Sequence, residues 1–240
     1  MKKNLNILSI DMDYILEPCI NLYNDLVLAS QSPDKIWENL NKLRNIDEHI
    51  SYNEDNLRYI FNIFTLALSK LKNKENVTFA VNHDAILFDL ASSKYLNNTF
   101  TIYNIDHHHD IYYSEVAKKD VDDYNAPNVA NWVWYLDKYE KISQYNWICN
   151  KNSFFPEQEI KSFGKMDAFE RDKIPQIFEV KEWDYIFVCH SPHWFPRKYD
   201  MFLDMLMDIY KNFTNITPEL NENIFSPNSI SRPYPYDKKK

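Results

Sequence analysis

The residues of this chain best suited to chemistry are aspartates and histidines at regular spacing. The clearest group is Asp106-x-His108-x-Asp110, in which three ligand-type side chains alternate with other residues. Side chains on extended backbone alternate with a period of two, so these three point to the same side and converge on one point. The group is therefore suited to binding a metal ion.

A second group repeats this spacing nearer the start of the chain. Asp11 and Asp13 alternate in the same way, and His83 adds a further imidazole. Four carboxylates and two imidazoles without a thiolate suit divalent ions such as Mn²⁺ better than structural zinc. Two ions about 3.5 to 4 Å apart can share a bridging hydroxide and polarise an electrophile. We therefore predict two Mn²⁺ ions, with other divalent ions as substitutes, held by Asp11, Asp13, His83, Asp106, His108 and Asp110.

Each of these groups has a simpler interpretation when it is taken alone. An isolated Asp-x-Asp at a strand end is usually a turn or a helix cap, and one histidine after a strand is more often structural than a ligand. Four carboxylates buried together without metal would have raised pKa values and would cost stability. The coincidence of the groups at successive strand ends therefore favours the metal site.

Strands joined by crossover helices are expected to position these residues. Segments rich in β-branched and aromatic residues predict strands at 5–11, 77–82, 100–106, 145–150 and 185–190. Helical periodicity predicts helices at 32–45, 53–71, 85–96, 129–139 and 199–213. The alternation is typical of an α/β fold, here a three-layer α/β/α architecture with a mostly parallel sheet. Residues 110–127 and 151–176 look irregular.

The carboxyl ends of the predicted strands carry the informative residues. Ligands of open parallel sheets bind at these ends, and four of the predicted strands end in carboxylates or imidazoles. We expect a single domain over residues 1–213, followed by a C-terminal tail over residues 214–240.

The composition excludes several kinds of site. Gly164 is the single glycine, so dinucleotide-binding turns, P-loops and the GxSxG nucleophile elbow cannot be built. A formal net charge of -8 argues against a nucleic-acid partner. Three cysteines without CxxC spacing indicate neither a disulfide framework nor a thiolate zinc site. Since no signal peptide and no apolar run of about 20 residues is evident, we expect a cytoplasmic protein with no membrane partner.

The motifs resemble those of a known family. The DxHxD and SxDxD patterns are similar to signatures of the arginase and deacetylase fold. A closer resemblance is to the bacterial peptide arginases, whose SxDxD strand comes first, followed by HHDEAL-like, DAHADL-like, GNYL-like and SPGYTP-like segments. The counterparts here are SIDMDYI at 9–15, NHDAIL at 82–87, DHHHD at 106–110, NWVW at 131–134 and SPHWFP at 191–196. The resemblance covers residues 5–206, but Ala130 and His193 stand where the family has glycine.

The resemblance implies an arginase-like fold, metal ligation by the six residues named above, and conversion of peptidyl arginine to ornithine with release of urea. The leaving amine needs a proton, which an imidazole can supply; the imidazoles available are His109, His190 and His193. Guanidinium binding needs a carboxylate, for which the choices are Glu17, Asp84, Asp122, Asp123 and Asp200. We take Asp84 and Asp200 from that set and add Asn131 and Ser191 from the matched segments as substrate-binding residues.

Two other interpretations stay open. Since a fold does not determine its substrate, the chain could be another amidinohydrolase or a deacylase on the same scaffold. It could also be a non-catalytic binding protein that keeps metal for stability. The expected partner is an arginine-containing peptide, and a homo-oligomer is left open.

Overall fold

The centre of the molecule is a sheet, seen in a computed structural model that describes residues 3–17, 33–45, 48–90, 95, 97–112, 115–153, 161, 163–170 and 176–222. The strands are β1 (Asn4–Asp11), β2 (Leu16–Glu17), β3 (Ser51–Tyr52), β4 (Val77–Ala80), β5 (Thr99–Asp106), β6 (Ile142–Cys149), β7 (Met166–Glu170), β8 (Tyr185–Cys189) and β9 (Leu220–Asn221). Seven of them form one sheet in the order β7-β6-β5-β1-β8-β4-β9. Every pairing in this sheet is parallel, whereas β2 and β3 form a separate antiparallel pair.

Helices cover both faces of the sheet. They are α1 (Pro33–Arg44), α2 (Glu54–Ser69), α3 (Ile86–Leu90), α4 (Glu115–Tyr124), α5 (Trp132–Lys138), α6 (Gln176–Glu179) and α7 (Asp200–Thr214). Successive residues of β1 face opposite layers: Leu8 packs in a cluster with residues of α1, α2 and α7, and Ile7 in a second cluster with residues of α3 and α5. Since both faces are buried, the predicted three-layer α/β/α fold is confirmed.

The start of α2 shows how local sequence fixes one of these helices. Asn53 caps the helix, because its side chain accepts a hydrogen bond from the backbone N–H of Asn56. Ile60, Phe64 and Leu68 then recur at four-residue spacing and are fully buried. These residues form one apolar stripe, which packs against the sheet.

The structure differs from the sequence prediction at three places. The segment 110–127, expected to be irregular, contains α4, whose sequence EVAKKDVDDY is mostly polar and so gives little apolar periodicity. The segment 151–176, also expected to be irregular, contains the edge strand β7. Residues 220–221, assigned above to the tail, pair with β4 at the other edge.

Parts of some predictions lie outside the described residues. These parts are Ser32 at the predicted start of the first helix, most of the C-terminal half of the helix predicted at 85–96, and Cys19. Residues 223–240 of the predicted tail, and residues 113–114, 154–160, 162 and 171–175 of the segments expected to be irregular, also lie outside the described residues. The described remainder of the helix predicted at 85–96 is α3, which spans five residues. In the described part of the chain, none of the helices has the length and the apolar character needed to cross a membrane.

Candidate metal centre

The six predicted ligands come together at the carboxyl ends of the central strands. Asp11 is the last residue of β1 and Asp106 is the last residue of β5, and these two strands pair in parallel. Asp13 lies in the 3-10 helix Met12–Ile15 that follows β1, and His83 begins a 3-10 helix shortly after β4. His108 and Asp110 follow β5 directly, so three chain segments, 11–13, 83 and 106–110, bring the ligands to the carboxyl ends of the strands.

One half of the cluster is centred on His83. Its Nδ1 lies 3.2 Å from Oδ2 of Asp11, 3.2 Å from Oδ2 of Asp106 and 3.0 Å from Oδ2 of Asp110. Three carboxylate oxygens and one imidazole nitrogen thus face a single point. The group formed by His83, Asp106 and Asp110 has the spacing of metal ligands.

The other half of the cluster is centred on His108. Its Nδ1 lies 2.9 Å from Oδ2 of Asp13 and 3.8 Å from Oδ1 of Asp106, and these three residues form a second group with ligand spacing. Asp106 therefore belongs to both halves, with Oδ2 turned to His83 and Oδ1 turned to His108.

The residues fit metal ions on two observations. Among the described residues, Nδ1 of His83 and Oδ2 of Asp13 are buried without a hydrogen-bond partner. Three carboxylates lie beside His83, and the imidazole of His108 lies beside Asp13. Four buried carboxyls also outnumber two imidazoles, so the ionised carboxylates would leave an excess of negative charge even with both imidazoles protonated. Buried charge of this kind is costly unless it is compensated. Cations compensate it, and we conclude that the cluster can hold metal ions.

The pKa values of the cluster reflect the same concentration of carboxylates. Burial, and then the neighbouring charge of Asp11, raise the pKa of Asp13 well above its usual value. Burial and the charge of Asp110 likewise raise the pKa of Asp106. Burial would lower the pKa of His108, but the carboxylates of Asp13, Asp106 and Asp110 together outweigh it and raise this pKa to about 9. Metal ions must therefore displace protons from the cluster.

Hydrogen bonds from neighbouring side chains hold the ligands in orientation. Ser9 Oγ lies 2.6 Å from Nε2 of His83, which leaves Nδ1 turned to the carboxylates. Asn104 Nδ2 donates to Oδ2 of Asp106 at 3.0 Å. Trp132 Nε1 donates to Oδ2 of Asp110 at 2.7 Å, and Ser191 Oγ donates to Oδ2 of Asp11 at 2.6 Å.

Ser9, Asn104 and Trp132 were not predicted from the sequence to orient the ligands. A signal existed for the first two, because each lies two residues before a predicted ligand on a strand and must face the same side. Trp132 had none, since its contact with Asp110 depends on how α5 packs against the loop after β5.

Replacing Ser9 by alanine tests the role of these contacts. We expect Ser9→Ala to weaken Mn²⁺ binding by about 10- to 100-fold, the usual cost of losing a contact that orients a ligand, while the fold is kept. Isothermal titration calorimetry measures the affinity, and Ser69→Ala, on an exposed part of α2, is the matched control. Equal affinities in the two variants would contradict a positioning role for Ser9.

The three imidazoles predicted for proton transfer occupy different environments. His109 is buried, and its burial lowers its pKa to about 3, so it is neutral at pH 7. Its Nδ1 accepts the backbone N–H of Ile111, which favours a structural role. His190 lies 2.8 Å from Asp200, measured from Nε2 to Oδ1. His193 is half-buried, and burial lowers its pKa.

The predicted substrate-binding residues also differ from one another. Asp84 is buried beside His83, burial raises its pKa to about 7, and its Oδ1 has no hydrogen-bond partner among the described residues. Asn131 Oδ1 accepts the backbone N–H of Asn128 at 2.6 Å. Ser191 is bound to the ligand Asp11. Of these residues, Asp84 best keeps the capacity to receive a cation.

The remaining carboxylates considered for guanidinium binding differ in surroundings. Glu17 pairs with Lys151 and accepts a hydrogen bond from Asn53. Asp122 accepts the indole N–H of Trp134, and Asp123 is exposed. Glu17 and Asp122 already have partners, and Asp200, also predicted to bind substrate, is paired with His190. Asp84 is therefore the buried carboxylate favoured for binding the guanidinium.

Cys189 is a neighbour of the cluster that the sequence did not predict. Its thiol lies within ligand spacing of Asp11 and His83. Burial raises the pKa of this thiol well above its usual value, so it stays protonated and is a poor ligand. Its Sγ contacts the backbone carbonyl of Val81 at 3.7 Å and the hydroxyl of Ser191 at 3.4 Å.

Comparisons with known proteins leave the site to be judged on its own geometry. No protein-family model, no curated protein and no solved structure matches the chain. The buried aspartate and histidine cluster, which can hold metal ions, is accordingly the basis for any function assigned to this protein.

Proposed function

We propose that this protein is a hydrolase with a pair of Mn²⁺ ions that converts arginine in a peptide to ornithine and releases urea. The observation that carries the proposal is the position of Asp106, whose two oxygens face two separate ligand groups. A shared carboxylate of this kind is suited to a pair of divalent ions. The resemblance of five sequence segments to peptide arginases supports the choice of substrate.

Each ion would have its own ligands beside the shared carboxylate. His83, Asp11 and Asp110 would hold one ion, and His108 and Asp13 the other. When bound, such ions supply Lewis acidity, which lowers the pKa of water towards neutrality and polarises the group under attack. Ser9, Asn104 and Trp132 keep the ligands turned inward.

The proposed reaction adds water across one carbon–nitrogen bond. The water oxygen joins the guanidinium carbon, the bond from that carbon to the side-chain nitrogen breaks, and a proton passes to the leaving amine. We assign binding of the cationic guanidinium to Asp84, because its carboxylate is buried next to His83 with one oxygen unbonded. We assign delivery of the proton to His190, which Asp200 orients.

Urea release tests this function directly. We expect the Mn²⁺-loaded protein to release urea from an arginine-containing peptide, with a loss of peptide mass equal to one cyanamide unit by mass spectrometry. Free arginine, agmatine and an acetyl-lysine peptide are the parallel substrates. Release of acetate, or of urea from agmatine alone, would replace this proposal by a deacylase or another amidinohydrolase. Metal binding without turnover of any of them would leave a metal-stabilised binding protein.

A further inference from the structure

The metal cluster is open to solvent on one side. The side chains of Asp11, Asp13, His83, Asp106 and Asp110 are at most 6% exposed, whereas that of His108 is 21% exposed. A molecule that arrives from solvent therefore meets His108 before the other five ligands. The residues beside His108 are the ones placed to select that molecule.

Trp194 is an aromatic residue beside this opening. Its ring centroid lies 5.0 Å from that of His108, and the two planes are tilted by 50°. Trp194 is half-buried and packs against the apolar cluster that also contains Leu8, so the residue is partly accessible to solvent.

The loop that carries Trp194 is held in place at several points. The backbone N–H groups of Trp194 and Phe195 both donate to the carbonyl of Ser191 at 2.8 Å. Trp37 of α1 donates its indole N–H to the carbonyl of Pro192 at 2.8 Å, and the side chain of Phe195 is buried. Because the loop is fixed before any ligand binds, little ordering cost opposes binding at Trp194.

We propose that Trp194 is a specificity-determining residue, whose indole stacks on the planar guanidinium of the substrate as it passes His108. This inference rests on the proposed function and adds the residue that distinguishes guanidinium from other cations. An indole face attracts cations. A guanidinium is flat and weakly hydrated, so it stacks on an aromatic ring better than a compact ammonium does.

Kinetics of two substitutions test this role. For Trp194→Leu we expect a KM for the arginine-containing peptide that is higher by about tenfold, with kcat changed less than about twofold and Mn²⁺ affinity unchanged. Trp194→Phe, which keeps an aromatic face, should recover most of the loss. Trp134→Leu removes another half-buried tryptophan, one that contacts Tyr112 and Asp122, and should leave KM unchanged.

Two results for Trp194→Leu, one kinetic and one from Mn²⁺ binding, would overturn the role. One is a KM in Trp194→Leu equal to that of the unchanged protein. The other is a loss of Mn²⁺ affinity in that variant, which would show that the indole supports His108 instead of contacting substrate.

Binding without turnover separates this inference from the proposed function. Calorimetry on the Mn²⁺-loaded protein compares peptides that differ in one residue, arginine or lysine. We expect tighter binding of the arginine peptide, and loss of that preference in Trp194→Leu, even if no urea is released. Equal binding of the two peptides by the unchanged protein would overturn the role of Trp194, whereas urea release would still support the hydrolase.

Discussion

Replacing Asp106 by asparagine is expected to remove bound Mn²⁺ from both halves of the cluster and to abolish turnover. The carboxylate places Oδ2 3.2 Å from Nδ1 of His83 and Oδ1 3.8 Å from Nδ1 of His108. An amide keeps the shape but loses the charge and one of the two acceptor oxygens. We expect urea release to fall by at least about a thousandfold, or about 4 kcal/mol of transition-state stabilisation. Metal content after dialysis and a urea assay measure the two effects.

A matched substitution separates this effect from a general loss of charge. Asp204 is exposed on α7, and Asp204→Asn should keep both metal content and turnover. Circular dichroism checks that Asp106→Asn is folded. If the folded Asp106→Asn protein keeps the full Mn²⁺ content of the unchanged protein, the shared role of this carboxylate is wrong.

Saturating Mn²⁺ is expected to raise the melting temperature by about 10 °C. A ligand at about a thousand times its dissociation constant adds about 4 kcal/mol of stability, and 1 kcal/mol shifts melting by about 2 to 4 °C in a chain of this size. The physical reason is the excess of buried carboxylate over imidazole, which the ions neutralise. Differential scanning calorimetry with and without a chelator measures the shift.

The substitution Asp13→Asn should have opposite effects with and without metal. The pKa of Asp13 is raised in the folded protein, chiefly by burial. Protonation of this carboxyl therefore favours folding at low pH, and that contribution to stability is lost as the pH rises from the pKa of the unfolded state through the raised pKa of the folded state. Near neutral pH, removing this charge should raise the metal-free melting temperature by about 2 to 4 °C. The same substitution should eliminate most of the rise in melting temperature that Mn²⁺ produces.

A structural carboxylate would behave differently in that comparison. If Asp13 served packing alone, Asp13→Asn would lower the melting temperature equally in the presence and absence of Mn²⁺. That outcome would contradict the metal assignment. Asp204→Asn again provides the control, since its exposed carboxyl should change neither temperature appreciably.

Alternation along strands made most of the fold and the ligand set predictable. His108 and Asp110 were identified from their spacing, but they lie beyond the end of β5, where the backbone bends at residues 107–108 and Asp110 has a φ of 51°. The apolar segments at β1 and β5 identified two central strands, and the alternation of side chains along them sets the side on which Asp11 and Asp106 lie. The same rule also places Ser9 and Asn104 on the side of the ligands. These positions follow from backbone geometry that local sequence dictates.

Contacts between distant elements could not be read from the sequence. The bond from Trp132 to Asp110 requires α5 to pack beside the loop after β5, and no local pattern specifies that placement. The helix α4 was missed because polar residues dominate its sequence. Among its residues whose burial is described, Val121 is the apolar one that is fully buried, and one residue gives no periodicity. The open side at His108 likewise depends on the loop that carries Trp194.

Anomalous X-ray diffraction from crystals grown with Mn²⁺ tests the central claim most directly. We predict two anomalous peaks at the carboxyl ends of β1 and β5, one among His83, Asp11 and Asp110 and the other between His108 and Asp13. Both peaks should lie within bonding distance of Asp106. Crystals with no anomalous peak at this cluster, or with peaks at other surface carboxylates alone, would contradict the assignment of a metal centre to this protein.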